Sequence, residues 1–383
     1  MKNATRGPWL IGATILLSAC SLVYELLIAQ VISIFAGNTV VWYSITIGMF
    51  LFGMGAGALA TRALARVSTS HALFWTEIVL SFLGALAPFL LHLAALVVLW
   101  KSDADGWTID GSAFFGPAIA LGWAIGFFTG MELPLLMRFG RETGSAPVAS
   151  SQLLAADYFG SLIGGVAFSL ILWPHFEPIQ IGCGIAIVNF LIAMALGSSS
   201  RPTRRSRRRV IAVVLLSAML AGLLTTHESF LDFFLRRYYA YSPTDPSLAE
   251  IVAPQQPLPE VARMRSQYHT IDLVQSVYHD RGFYLFDLYS TKFRERPNFP
   301  SRIIMFLNGE VQFFGDFEEV YHEFFAHVPL AAFQPEPRRV LVLGGGDGLL
   351  VRELVKYPSI DSITLVELDP EMIAFAKHDS IMS

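Results

Sequence analysis

Charge is scarce in this chain, and cysteine is almost absent. Of 383 residues only 15% are charged while 54% are hydrophobic, and the apolar residues crowd into the first 226 positions. A soluble domain does not segregate its residues this way. The two cysteines, Cys20 and Cys183, both fall inside apolar runs, so cysteine usage says nothing about redox compartment. No metal-ligand spacing appears, and no internal repeat is evident. A cleaved signal peptide is not expected, because the first apolar run is too long and lacks a clean small-residue cleavage site after a short core.

What is present is a series of long apolar runs. Seven are long enough to cross a hydrocarbon layer of ~30 Å. They are Trp9–Phe35, Val40–Leu64, Ala72–Trp100, Ala113–Leu136, Leu153–Trp173, Ile179–Leu196 and Val210–Thr226. The basic residues between them are one-sided. Lys2, Arg6, Arg62, Arg66, Arg138, Arg141, Arg201, Arg204, Arg205, Arg207, Arg208 and Arg209 all fall on one side, while the opposite loops hold Lys101 beside Asp103, Asp105 and Asp110. By the positive-inside rule the N-terminus is cytoplasmic, in a multi-pass protein of the cell (inner) membrane. Seven crossings would then put the rest of the chain outside, whereas a seventh run that re-enters would return it inside; the sequence leaves both open. The arginine run before the seventh stretch reads as this topology signal rather than as a lipid-headgroup or nucleic-acid site, and no nucleic acid is expected as a partner.

Four acids lie within these runs, where an ionisable group is expensive to bury: Glu25, Glu77, Glu132 and Asp157. They suggest either a polar cavity for a cation such as a polyamine, or neutral acids that lock the bundle together. Glu132 sits in Gly130-Met-Glu-Leu-Pro134, where glycine and proline are expected to break the helix. Gly53 and Gly57, the series Gly122, Gly126 and Gly130, and the pair Gly160 and Gly164 have the four-residue spacing of close helix contacts.

After Thr226 the chain changes character. Five prolines within residues 242–260 mark an extended linker, set here as 227–265. A small β-domain is expected over 266–316, with strand-like runs at Ile271–Tyr278, Gly282–Tyr289 and Ile303–Leu307, the first two joined as a hairpin at Asp280-Arg-Gly282. Residues 317–383 then read as the start of a Rossmann-like α/β domain. Arg339-Val-Leu-Val-Leu-Gly-Gly-Gly-Asp-Gly348 is a strand covered on both faces, followed by a glycine turn, a helix over Leu349–Lys356 stopped by Pro358, and a second strand ending in Glu367. Gly344, Gly346 and Gly348 let the backbone turn and approach a ligand, and Glu367 is placed to accept hydrogen bonds from ribose hydroxyls. Asp347 would repel a pyrophosphate but attract the ammonium of a sulfonium nucleoside.

The order Leu307-Asn-Gly-Glu-Val-Gln312, Glu318-Glu-Val-Tyr-His-Glu323, His327 and the glycine loop resembles the spermidine synthase (polyamine aminopropyltransferase) family over roughly residues 266–383. Tyr24-Glu25-Leu26, with a multi-span bundle ahead of the catalytic part, is similar to its membrane-bound members. The resemblance implies transfer of an aminopropyl group from decarboxylated S-adenosylmethionine, a co-substrate rather than a bound cofactor, to a polyamine such as putrescine. It implies that Asp347 holds the donor's ammonium, Glu367 its ribose and His322 its nucleoside, that Tyr321 lines the acceptor channel, and that Gln312 belongs to the same pocket. The chain departs from the pattern at Tyr268-His269, where the family has Tyr-Gln with the Gln on the nucleoside, and at Phe317, where it has Asp. The family's proton-accepting Asp is expected on a later strand, beyond Ser383, so a truncated or interrupted chain with little catalysis is expected. A methyltransferase using intact S-adenosylmethionine, and a polyamine transporter or sensor, stay open as alternatives. Expected partners are the bilayer and a small polyamine, with a homo-oligomer left open.

Overall fold

The computed structural model describes residues 6–36, 39–99, 111–142, 150–198, 207–241, 251–254, 257–276, 302–315, 318–333 and 335–378. It divides into two compact units, Met1–Gln255 and Gln256–Ser383, with the boundary inside the expected linker.

The first unit is helical: α1 Arg6–Ala36, α2 Thr39–Ala60, α3 Thr69–Leu99, α4 Gly111–Glu142, α5 Ser150–Ala167, α6 Pro178–Ser198 and α7 Arg207–Tyr241. All seven are long and apolar enough to cross a membrane. A chain this apolar satisfies its backbone groups best within helices. After α5 a π-helical turn, Phe168–Leu172, precedes Trp173-Pro174-His175. That widening makes room for Pro174, whose ring would otherwise collide with the carbonyl one turn back.

Glycine sets the helix contacts. A side chain at Gly53 or Gly57 would strike the backbone of Trp123 or Phe127 on α4. A side chain at Gly126 or Gly130 would strike the backbone of Phe50 or Met54 on α2, so the two helices meet backbone to backbone. Gly160 and Gly164 meet Ile15 and Ala19 of α1 in the same way. The four-residue spacing thus marks close contacts at these six glycines, whereas Gly122 meets only the side chains of Ile28 and Thr46, at 3.8 and 4.0 Å.

Two expectations need correction. Helix α4 runs unbroken through Gly130 and Pro134, because Gly130 is spent on contact with Met54 and a proline inside a tightly packed apolar helix is tolerated. The seventh helix does not stop at Thr226. It continues to Tyr241, because its second half is also sticky: Phe234 and Tyr238 pack edge-on against Phe35 of α1, both at 5.6 Å between ring centroids. The first part of the expected linker is thus helix.

The second unit opens with a four-stranded antiparallel sheet, β1 Glu260–Arg265, β2 Thr270–Ser276, β3 Arg302–Leu307 and β4 Glu310–Phe314, in the order β1-β2-β3-β4. Strand β1 also falls in the expected linker. It is held to β2 by a cross-strand pair, with Arg263 donating two 2.7 Å hydrogen bonds to the buried Asp272. Asn308 and Gly309 both take positive φ (52° and 86°), the requirement of the two-residue turn joining β3 to β4. The expected strand Gly282–Tyr289 and the Asp280-Arg-Gly282 hairpin lie outside the described residues.

Helix α8, Glu318–Ala332, leads to β5 Arg339–Leu343, α9 Leu349–Leu354, β6 Ser362–Val366 and α10 Pro370–His378, with β5 and β6 parallel. One face of β5 and β6 packs on Ala326 and Leu330 of α8 and on Leu350 and Leu354 of α9. On the other face Leu341 is 61% and Leu343 76% exposed. Helix α10 instead turns Met372 and Phe375 onto the small sheet at Ile271, Leu273 and Met305.

Glu353 is the electrostatic centre of this second core. It is buried, and it accepts from Arg352 at 3.0 Å, from Lys356, and from His327 Nε2 at 3.2 Å, while Tyr357 hydroxyl lies 2.7 Å from His327 Nδ1. Burial works to raise its carboxyl, but the hydrogen bonds and charges of Lys356 and Arg352 outweigh it and hold it below the ordinary value. A depressed carboxyl stabilises the fold above the unfolded value, and that contribution is lost as pH falls through the folded value.

Two outcomes follow from these contacts. Gly57→Val or Gly130→Val should lower the thermal stability of the purified protein by about 1–3 kcal/mol or more, whereas Gly48→Ala, which meets nothing within 4 Å, should be neutral or stabilising; equal effects at both kinds of site would sink the backbone-contact account. Glu353→Gln should cost about 1–2 kcal/mol at neutral pH, after allowing for the half-exposed cations, and should flatten the loss of stability below about pH 4. Denaturant melts of both proteins across that range provide the check.

Candidate functional site

The loop between β5 and α9 is built from glycine because the backbone demands it. Gly344, Gly345 and Gly348 have φ of 81°, 75° and 78°, a region closed to most side chains. Gly346 has an ordinary φ but no space: a Cβ there would lie 2.7 Å from Glu367 Cγ and 2.9 Å from Met372 Cγ. The closeness serves a hydrogen bond. The backbone N–H of Gly346 donates to Glu367 Oε2 at 2.8 Å, and the other carboxylate oxygen accepts from Leu368 and Asp369 N–H at 2.7 and 3.0 Å. The acid at the end of β6 thus clasps the loop after β5.

Asp347 is buried in the loop, and its Oδ1 accepts from the N–H of Leu349 at 2.9 Å, which satisfies a free donor at the start of α9. The site gathers carboxylates: Asp347, Glu367 and Asp369 are separated by one turn of loop and strand end. Such a rim attracts cations and repels phosphates.

Asp369 and Ser266 were not among the expected site residues. Asp369 is buried, accepts from Ser266 Oγ at 2.5 Å, lies 3.1 Å from His269 Nδ1, and accepts from Glu371 N–H at 3.1 Å. Ser266 Oγ in turn accepts from the N–H groups of Tyr268 and His269 at 3.0 and 2.9 Å. One carboxylate, two residues after Glu367, therefore caps α10, fixes the turn before β2 and orients the His269 ring. The readable signal was Asp369-Pro370, an acid just ahead of a proline that opens a helix.

The remaining expected residues spread along neighbouring elements. His322 is buried on α8, edge-on to Tyr321 at 5.0 Å. Tyr321 is 63% exposed and stacks on Phe325 of its own helix, and Gln312 is exposed on β4. Among the described residues, neither Gln312 nor Tyr321 hydrogen-bonds to the glycine loop. The structure thus brings together Gly344, Gly346, Asp347, Gly348, Glu367 and, through Asp369, His269. Phe317 lies outside the described residues.

In the helical unit, Glu25, Glu77 and Glu132 are buried and Asp157 is half-buried. Asp157 accepts from Ser18 Oγ at 2.5 Å and Glu132 from Ser21 Oγ at 3.1 Å, both donors on α1.

Asp369→Asn should disturb several elements at once. It should destabilise the second unit's fold by about 1–3 kcal/mol, and nuclear magnetic resonance of the His269 ring should show a changed tautomer balance. An unchanged ring would refute the orienting contact.

Residues 318–379 match the spermine/spermidine synthase domain. Over 372 residues the chain is 29% identical to the polyamine aminopropyltransferase of Leptospira interrogans, covering 96% of this chain and 63% of that one. It is 30% identical over 382 residues to polyamine aminopropyltransferase 1 of Streptomyces coelicolor, covering 97% and 62%. The chain therefore spans about three fifths of the length of the curated relatives it matches. A crystal structure of spermidine synthase in complex with the transition state analogue AdoDATO matches 31% of this chain and 33% of that one, at 28% identity and a TM-score of 0.24. The glycine loop, its acid clasp and the preceding Tyr-His helix thus lie in a segment similar to the spermine/spermidine synthase domain, within a chain that is similar over most of its length to polyamine aminopropyltransferases.

Proposed function

We propose that this protein is a membrane-anchored aminopropyltransferase, moving an aminopropyl group from decarboxylated S-adenosylmethionine to a polyamine such as putrescine. The observation that carries the reading is the clasp between Gly346 N–H and Glu367, with Asp347 beside it. A nucleoside whose ribose reaches Glu367 finds a carboxylate with roughly four acceptor positions, three already taken by backbone N–H groups. A sulfonium donor with a free ammonium meets Asp347, and the acidic rim favours its double positive charge.

The chemistry is a direct displacement. The lone pair of a neutral acceptor amine attacks the aminopropyl carbon next to sulfur. The carbon–sulfur bond breaks with its electron pair going to sulfur, methylthioadenosine leaves, and the new ammonium gives its extra proton to water or to the Asp expected beyond Ser383. Because the sulfonium is already a good leaving group, the protein's main contribution is alignment. His269, held by Asp369, replaces the family's glutamine beside the nucleoside and offers its second ring nitrogen there. Helices α1–α7 are the anchor, and the one-sided arginines support a cytoplasmic N-terminus in the cell membrane.

The test uses the protein isolated from its native membrane, with its intact mass measured first against 42.3 kDa. Where that mass exceeds 42.3 kDa and so leaves room for the proton-accepting Asp expected beyond Ser383, labelled decarboxylated S-adenosylmethionine and putrescine should yield labelled spermidine, and Asp347→Asn should lower kcat/KM by about a hundredfold. Methyl transfer from the intact donor, with no aminopropyl transfer, would replace this reading with a methyltransferase.

A further inference from the structure

Helix α1 carries a polar ladder through an otherwise apolar helix. Thr14, Ser18, Ser21 and Glu25 recur at intervals of four, three and four residues, on one face, and all are buried. Neighbouring helices answer with acids. Asp157 of α5 meets Ser18, and Glu132 of α4 meets Ser21. Glu77 of α3 is 0% exposed and neither of its carboxylate oxygens has a hydrogen-bond partner; Glu132 Oε1 has none either.

A further observation is independent of the acids. Tyr24 is 1% exposed and its hydroxyl is unpartnered. Its ring lies against Gly84, where any side chain would collide with it. Gly84 stands seven residues after Glu77, two turns along the same face of α3, so the tyrosine is aimed at the face that carries Glu77. Ser21, three residues before Tyr24 on α1, bonds Glu132, and α3 packs on α4, so the two glutamates approach the same stretch of α1 from adjacent helices.

The unpartnered atoms define the ligand. Glu77 Oε1 and Oε2 and Glu132 Oε1 are buried acceptors without a donor. What they lack is a hydrogen-bond donor with positive charge, small enough to enter a packed bundle. We propose that Glu77 and Glu132 form a proton-exchange site at the centre of the helical unit, with Tyr24 and Ser21 as its hydroxyl partners. Binding converts one carboxylate to a carboxylic acid, whose new O–H donates to the other carboxylate, and release returns the proton along the ladder on α1. The titratable groups around the pair are Asp157 of α5, which faces Glu132, and Cys20 and Tyr24 of α1, with Cys183 of α6 beside Tyr24. This site is separate from the glycine loop and does not depend on the aminopropyl reading.

Infrared spectroscopy of the full chain in lipid nanodiscs tests it. Between about pH 5 and about pH 10 a protonated-carboxyl band should disappear as pH rises, and labelling glutamate carboxyls with heavy carbon should move that band. Glu77→Gln and Glu132→Gln should each remove the band or shift its midpoint by about one pH unit or more. Ser21→Ala, a small change that leaves the helix intact, should shift the midpoint too. No band, or a band constant across the range, overturns the proposal in favour of a fixed structural lock. Loss of the band on adding sodium chloride at constant pH overturns it in favour of an alkali-cation site. A band unmoved by any of the three substitutions overturns the assignment to this pair.

Discussion

The glycine loop holds its shape because of one carboxylate. Glu367 ends a strand that runs parallel to the one feeding the loop, and its two oxygens gather the N–H groups of Gly346, Leu368 and Asp369. Without that clasp the loop would present bare backbone donors beside Asp347, and three consecutive glycines would have little to hold them. The same contact explains why Gly346 cannot carry a side chain although its backbone angles would allow one. It also leaves a carboxylate on each side of the loop, Asp347 within it and Glu367 beside it.

Asp369 extends this arrangement to the small sheet. By bonding Ser266, lying against His269 and capping α10, it joins the turn before β2 to the end of β6. The sheet's apolar face then meets α10 through Ile271, Met305 and Phe375. The departure from the family's Tyr-Gln is in this light a substitution with its own support: a histidine needs an oriented ring, and a buried carboxylate supplies the orientation.

Much of this was legible in the sequence, for identifiable reasons. Long apolar runs have few alternatives to helix, so the seven helices could be read directly, and glycines spaced by four marked the α2–α4 and α1–α5 contacts. The strand–glycine–helix–strand order was equally plain, as was the acid at the tip of β6. What could not be read depended on tertiary contact. Phe234 and Tyr238 draw α7 fifteen residues beyond Thr226 by packing on Phe35, which no local pattern announces. Pro134 suggested a break, yet the packing at Gly130 keeps α4 whole. Strand β1 hid in a proline-rich stretch because its partner Asp272 lies in another strand. Asp369 and Ser266 are single polar residues whose importance comes only from meeting each other.

The central claim is that the acidic loop selects a donor with a free ammonium and no carboxylate. Calorimetric titration of the protein with decarboxylated and with intact S-adenosylmethionine tests it most directly. The account predicts that the decarboxylated donor binds at least about tenfold more tightly, with the preference largely removed in Asp347→Asn. Equal binding, or tighter binding of the intact donor, would contradict it.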